Sequence, residues 1–212
     1  MATYQIIHLP KFLNRRDFSD LSYAEAEKYF LWFREQEEGR IAYLKGQIQL
    51  YDKSWDMDFS PSSLEVVDSW FREVVNWRLR TEFEVNKIDA QLREMPKLSV
   101  GISPQTITAD EKTVSIAFDT GLYFAKCLQK SCESVFWKIV EKPKSNLDIH
   151  QPVLADPKSN IELNPRRIME VCASKYIKGN YDKSIPQLYD IWKNILCSSQ
   201  VGSAKKVNNV DL

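Results

Sequence analysis

The sequence predicts an α+β fold: a predominantly helical single domain with a few short strands. Apolar side chains recur at helical spacing over most of the chain, whereas residues 47–51 alternate in polarity and residues 135–141 are rich in β-branched and aromatic side chains. With 212 residues, 43% of them hydrophobic, the chain is long enough to bury one core. We expect residues 1–197 to form this domain and residues 198–212, which hold few large apolar groups, to form a flexible tail.

The first half of the chain predicts two long helices separated by an acidic loop. Ser22 and Glu25 have capping-box spacing ahead of a helix whose apolar pattern is interrupted once, by Glu37, and which Gly39 weakens and could divide. A short strand at 47–51 should follow. The second helix is expected to begin at Ser60-Pro61, since proline loses no needed hydrogen bond in the first helical turn, and to continue past Trp77.

The second half predicts three more helices and one strand. Thr108 and Glu111 form a second capping-box pair, and Gly121 inside that helix predicts close approach by another backbone. A strand is expected over 135–141. Asn164-Pro165 then supplies a cap for a helix that Gly179 can end, and "IPQLYDIWKNIL" forms the last helix.

Charge, hydropathy and cysteine content exclude several classes of protein. Lys plus Arg and Asp plus Glu both number 29, so general binding to nucleic acid, which needs a basic excess, is not expected. No apolar run is long enough for a membrane span or a secretory signal. The four cysteines form no CxxC pair, which indicates reduced thiols in a cytoplasmic protein. Homo-oligomer formation is left open.

The loop "YDKSWDMDFSPSS" carries the strongest candidates for function. Asp52, Asp56 and Asp58 fall within seven positions, with Trp55 among polar neighbours that suggest exposure. The loop could simply be a solvated surface, and the Trp55 ring could equally fold back onto the core. If the tryptophan is exposed beside the carboxylates, it is suited to anchor a protein partner, and the carboxylates to steer its approach. We therefore predict a partner-binding site at Asp52, Trp55, Asp56 and Asp58, without a metal, a cofactor or catalytic residues.

A catalytic alternative, a divergent metal-dependent nucleotidyltransferase or another phosphoryl-transfer enzyme, uses the same carboxylates. The alternation Asp56-Met57-Asp58 resembles the paired aspartates of nucleotidyltransferases, which share one face of a strand and hold Mg²⁺ on a nucleotide. A third carboxylate would come from Glu84 or Asp89. The glycine-serine pair of such enzymes is missing, because Gly46 is followed by glutamine.

The order of segments over residues 115–196 resembles immunity proteins of bacterial polymorphic toxin systems. In that order stand "FDTGLYFAKCL", "VFWKIVEKP", "QPVLAD", "LNPRRIMEV" and "IPQLYDIWKNIL". The residues that carry the resemblance are Asp119, Gly121, Tyr123, Trp137, Pro152, Asn164, Pro165 and Trp192. The resemblance implies a non-enzymatic cytoplasmic protein that neutralises a cognate toxin by tight stoichiometric binding.

Overall fold

Helices dominate the computed structural model, which describes residues 4–13, 16–94, 106–158 and 160–197. Within these ranges the helices are α1 (Tyr23–Tyr51), α2 (Ser63–Val74), α3 (Glu82–Glu94), α4 (Glu111–Ser131), α5 (Pro165–Ile177) and α6 (Ile185–Cys197). The strands are β1 (Trp77–Leu79), β2 (Ile107–Ala109), β3 (Phe136–Ile139), β4 (Pro152–Ala155) and β5 (Glu162–Leu163). The predicted α+β, predominantly helical fold is confirmed.

Helix α4 lies at the centre of the core. Apolar side chains surround it, and it packs against α1, α2, α5 and α6, as expected for a helix buried on all sides. A Cβ atom added at Gly121 would lie 3.0 Å from the backbone N and Cα of Arg166. The predicted close approach of a second backbone at Gly121 is therefore confirmed, and α5 is the element that approaches.

Two small antiparallel sheets flank the helices. β1 pairs with β2, and β3, β4 and β5 form the second sheet in that order, so that β3 lies at its edge. The strand predicted over 135–141 is confirmed as β3. No helix in the described ranges is both long and apolar enough to cross a bilayer.

Most helix ends follow the local signals. Ser22 and Glu25 form both halves of a capping box, Asn164 accepts a hydrogen bond from the Arg167 N–H ahead of α5, and Gly179 adopts φ 72° just after that helix. The cap predicted at Thr108 is wrong. Asp110 caps α4 instead, accepting the Thr113 N–H at 2.7 Å.

One predicted element in the first half of the chain is wrong, and the predicted second helix is confirmed but shorter than expected. Residues 47–51 are helical, because Ile41, Leu44 and Ile48 continue the buried stripe of α1. The second helix begins later than expected, at Ser63, and it ends at Val74. The next residues turn into β1, where Trp77 is half exposed and does not pack in a helix.

Helix α3 was not anticipated. Val85, Ile88 and Leu92 stand at helical spacing, but they are only half-buried and none of the described side chains of α3 is buried, so the stripe is a weak signal for a helix. Residues 95–105, which follow α3 and whose two prolines and one glycine predict a crossing loop, lie outside the described residues, as does the tail predicted at 198–212.

The expectation of reduced cysteines is wrong for one pair. Cys132 at the end of α4 and Cys197 at the end of α6 are joined by a disulfide. Cys127 and Cys172 are free and buried. The pairing was not visible in the sequence, because the two bonded residues are 65 positions apart.

Candidate functional site

The acidic loop joins α1 to α2 and presents its carboxylates to solvent. The Asp56 side chain is 82% exposed, Asp58 is also exposed, and Asp52 is half-buried. Trp55, in contrast, is only 5% exposed. The expected exposure of this tryptophan is therefore wrong, and its ring is not available at the surface as a contact for a partner.

Trp55 is buried because its ring packs against the core and its indole N–H is hydrogen-bonded there. Its Nε1–H donates to the carbonyl oxygen of Ser63 at 3.0 Å, which satisfies the polar end of the indole. The Trp55 ring lies 5.7 Å from the ring of Tyr123 on α4, and the ring of Phe59 lies 5.2 Å from the same tyrosine. Aromatic side chains at both ends of the loop thus pack on one residue of the central helix.

Polar contacts with α4 and α2 hold the same loop. The Tyr123 hydroxyl lies 2.6 Å from the Ser63 Oγ, and Lys130 donates to the carbonyl oxygen of Asp58. Burial raises the pKa of Tyr123 well above its usual value, so its hydroxyl stays protonated at neutral pH. The loop is therefore tied to α4 by the rings of Trp55 and Phe59 and by the hydrogen bond from Lys130 to its backbone.

Each carboxylate accepts a backbone N–H from within the loop. Oδ1 of Asp52 accepts from Ser54 at 2.9 Å, Oδ1 of Asp56 from Met57 at 2.8 Å, and Oδ1 of Asp58 from Ser60 at 2.8 Å. Hydrogen bonds from Ser54 and Ser60, side chain and backbone, lower the pKa of Asp52 and of Asp58. These two groups are therefore negatively charged at neutral pH.

The geometry that the catalytic alternative requires is not found in this loop. Asp56 and Asp58 do not lie on a strand; the Asp58 N–H donates to the Asp56 carbonyl in a tight turn. Lys45 lies 3.7 Å from Asp56. Across the ranges that the structure describes, no three His, Cys, Asp or Glu side chains come close enough together to hold a metal ion.

The two residues nominated as a third carboxylate are engaged elsewhere. Both lie on α3, where Glu84 receives two hydrogen bonds from Arg78, at 2.6 and 2.8 Å, and Asp89 pairs with Arg93. The hydrogen bonds from Arg78 and the Thr81 N–H lower the pKa of Glu84 to about 2. The expected strand partner of the Asp56–Asp58 pair is therefore absent from both nominated positions.

The segment of α4 that carries the resemblance has a structural contact at each of its three motif positions. Asp119 accepts hydrogen bonds from Arg40 on α1, Gly121 abuts the backbone of α5, and Tyr123 holds the acidic loop. Sequence reasoning missed Arg40. Its position on the apolar stripe of α1, seven residues after Phe33, was the available signal.

Comparisons with protein-family models, with curated proteins and with solved structures find no match to this chain.

Proposed function

We propose that this chain is an immunity-type protein that neutralises a cognate bacterial toxin by tight stoichiometric binding. The observation that carries the proposal is the construction of the acidic loop. Asp52, Asp56 and Asp58 stand at the surface on a segment whose conformation is held by Trp55 and by α4. Preorganised polar groups of this kind bind a partner at a lower entropic cost than mobile ones.

The charge of the loop suggests the chemistry of the partner surface. The carboxylates would face a basic region of the toxin, and their attraction would act mainly on the rate of association. The resemblance over residues 115–196 supports the same class of function, since its residue Tyr123 is the one that anchors this loop. Because Trp55 is buried, the carboxylates rather than the indole would make the contact.

The test is a binding measurement with the toxin encoded beside this gene. We expect one-to-one binding to the wild-type chain, and association slower by about ten-fold or more in the triple variant Asp52→Asn, Asp56→Asn, Asp58→Asn. A matched control replaces three exposed acids elsewhere, Glu38→Gln, Glu133→Gln and Asp190→Asn.

Three outcomes separate the alternatives. Absence of binding by the wild-type chain would refute the function, and an unchanged rate in the triple variant would remove the loop from the interface. A saturable heat of Mg²⁺ and nucleotide binding, lost on Asp56→Asn with Asp58→Asn, would support the phosphoryl-transfer alternative instead.

A further inference from the structure

The second sheet has an edge that no described strand covers. β3 lies at the end of the order β3-β4-β5 and pairs with β4 on one side only. Helix α1 runs beside the other side and leaves a groove of about 830 Å³ between them. We call this the edge groove. It is lined by Tyr23, Glu27, Phe30, Leu31, Trp137, Lys138, Ile139, Glu141, Lys142 and Glu162.

The backbone register shows which groups of β3 face this groove. The Val140 N–H donates to the Gln151 carbonyl at 3.2 Å, and the Val140 carbonyl accepts from the His150 N–H at 2.8 Å, so Val140 faces β4. Backbone groups alternate in direction along an antiparallel strand. The N–H and C=O groups of Trp137 and Ile139 therefore point away from β4, towards the open edge.

The α1 wall of the groove carries exposed apolar surface. Tyr23, Glu27, Phe30 and Leu31 follow one another on one side of the helix, at spacings of four, three and one. Leu31 is 63% exposed, and Tyr23 closes one end of the groove by donating its hydroxyl hydrogen to Glu141 at 3.3 Å. Side chains that enter the groove would thus meet apolar atoms.

Trp137, on the inner side of the groove, carries an unpaired indole donor. The residue lines the groove and is only 9% exposed, yet its indole Nε1–H meets no acceptor among the described residues. Buried donors in folded proteins are almost always paired, because an unpaired one loses its hydrogen bond to water without compensation. This nitrogen has almost no accessible surface, so the unpaired donor does not itself contact the open groove.

We propose that the edge groove binds an extended segment of the partner protein, which adds a fourth strand beside β3. The exposed backbone groups of Trp137 and Ile139 would form the ladder, and the α1 wall would take alternate apolar side chains. This proposal deepens the proposed function by assigning a second contact to the same partner.

The charges at the groove predict which kinds of residue that segment carries. Three glutamates and two lysines line it, and Lys138 is already paired with Glu162 at 2.6 Å. Glu27 and Glu141 then outnumber the one remaining lysine, Lys142. The segment should therefore alternate apolar residues with basic ones.

A synthetic octapeptide of alternating valine and lysine tests the groove without the toxin. On titration with this peptide, the amides of Trp137 and Ile139 should shift in NMR spectra and become protected from hydrogen exchange. The amides of Lys138 and Val140, which point towards β4, serve as internal controls. Unperturbed Trp137 and Ile139 amides at millimolar peptide would overturn the proposal.

Two substitutions at Ile139 distinguish the contribution of its backbone N–H to peptide binding from that of its side chain. Ile139→Pro removes an edge N–H without removing a hydrogen bond to β4, and proline is tolerated on a free edge. We expect it to weaken peptide binding by about ten-fold, the value of one hydrogen bond, and Ile139→Ala to weaken it less. Circular dichroism establishes that both variants fold. Equal affinities for the two variants would overturn the strand-addition geometry.

A charge on the α1 wall gives a second, independent variant. Leu31→Glu should abolish peptide binding, whereas Val171→Glu, a matched change at a half-exposed position on α5, should leave it unchanged. If the toxin does not bind the wild-type chain, the proposed function fails, but the peptide titration still tests whether the edge groove binds an extended segment. If the toxin binds Leu31→Glu and Ile139→Pro as tightly as wild type, the groove proposal fails and the proposed function stands.

Discussion

Asp119 is a buried residue whose ionisation should affect stability. It is fully buried on α4, where it accepts two hydrogen bonds from Arg40, at 2.6 and 2.7 Å, and one from Tyr4. Burial raises the pKa of Asp119 to about 6, although the hydrogen bonds and charge of Arg40 and the hydrogen bond from Tyr4 oppose this. In the unfolded chain the same carboxyl group titrates near its ordinary value of about 4.

The sign of the resulting pH dependence follows from linkage. Between pH 4 and pH 6 the folded protein keeps a proton on Asp119 that the unfolded chain has lost. This contribution to the free energy of unfolding is complete below about pH 4 and is lost as the pH rises to about 6. The difference between the two pKa values corresponds to about 3 kcal/mol.

NMR titration of the Asp119 side-chain carboxyl carbon measures this pKa directly. Tyr4→Phe provides the matched variant: it removes a hydrogen bond that lowers the pKa of Asp119, so the midpoint should move upward. A wild-type midpoint at or below pH 4 would contradict the prediction.

A contact between two residues could be predicted from the sequence where the two residues lie close together in the chain. Ser22 with Glu25 and Asn164 with Pro165 encode their caps within four positions. The Arg40–Asp119 pair joins residues 79 positions apart, so nothing in the local pattern of either residue reveals the other.

Among the elements, the loop between α1 and α2 depends on Trp55. Its ring is buried against Tyr123, and its indole N–H is bonded to Ser63. Trp55→Ala should lower the free energy of unfolding by about 3–5 kcal/mol, because it leaves a cavity beside Tyr123. Urea denaturation measures the change. Asp56→Ala in the same loop, at an exposed position, is the control and should cost less than about 0.5 kcal/mol.

Equal stabilities for these two variants would show that Trp55 does not hold the loop. The sequence indicated the opposite environment for Trp55 because its neighbours in the chain are polar, whereas its contacts in space come from α4 and α2. The strand expected at 47–51 failed for a related reason. Five residues that alternate in polarity can also lie at the end of a long helix, where Ile48 alone continues the buried stripe.

The whole molecule gains a covalent link between its central and last helices. The Cys132–Cys197 disulfide joins the end of α4 to the end of α6 and encloses most of the second half of the described chain. Disulfides are typical of oxidising compartments and rare in cytosolic proteins. The prediction of a cytoplasmic location therefore loses the support that reduced cysteines would have given, and it stays a prediction.

Reduction of this disulfide should destabilise the fold substantially. For residues 65 positions apart, the loss of chain entropy in the unfolded state corresponds to about 4 kcal/mol. A reductant should therefore lower the urea midpoint of the wild-type chain and leave that of a Cys132→Ser, Cys197→Ser variant unchanged. Thiol titration in denaturant checks the pairing, since the oxidised chain should show only the thiols of Cys127 and Cys172. Four reactive thiols, with a urea midpoint insensitive to reductant, would show that the bond does not form.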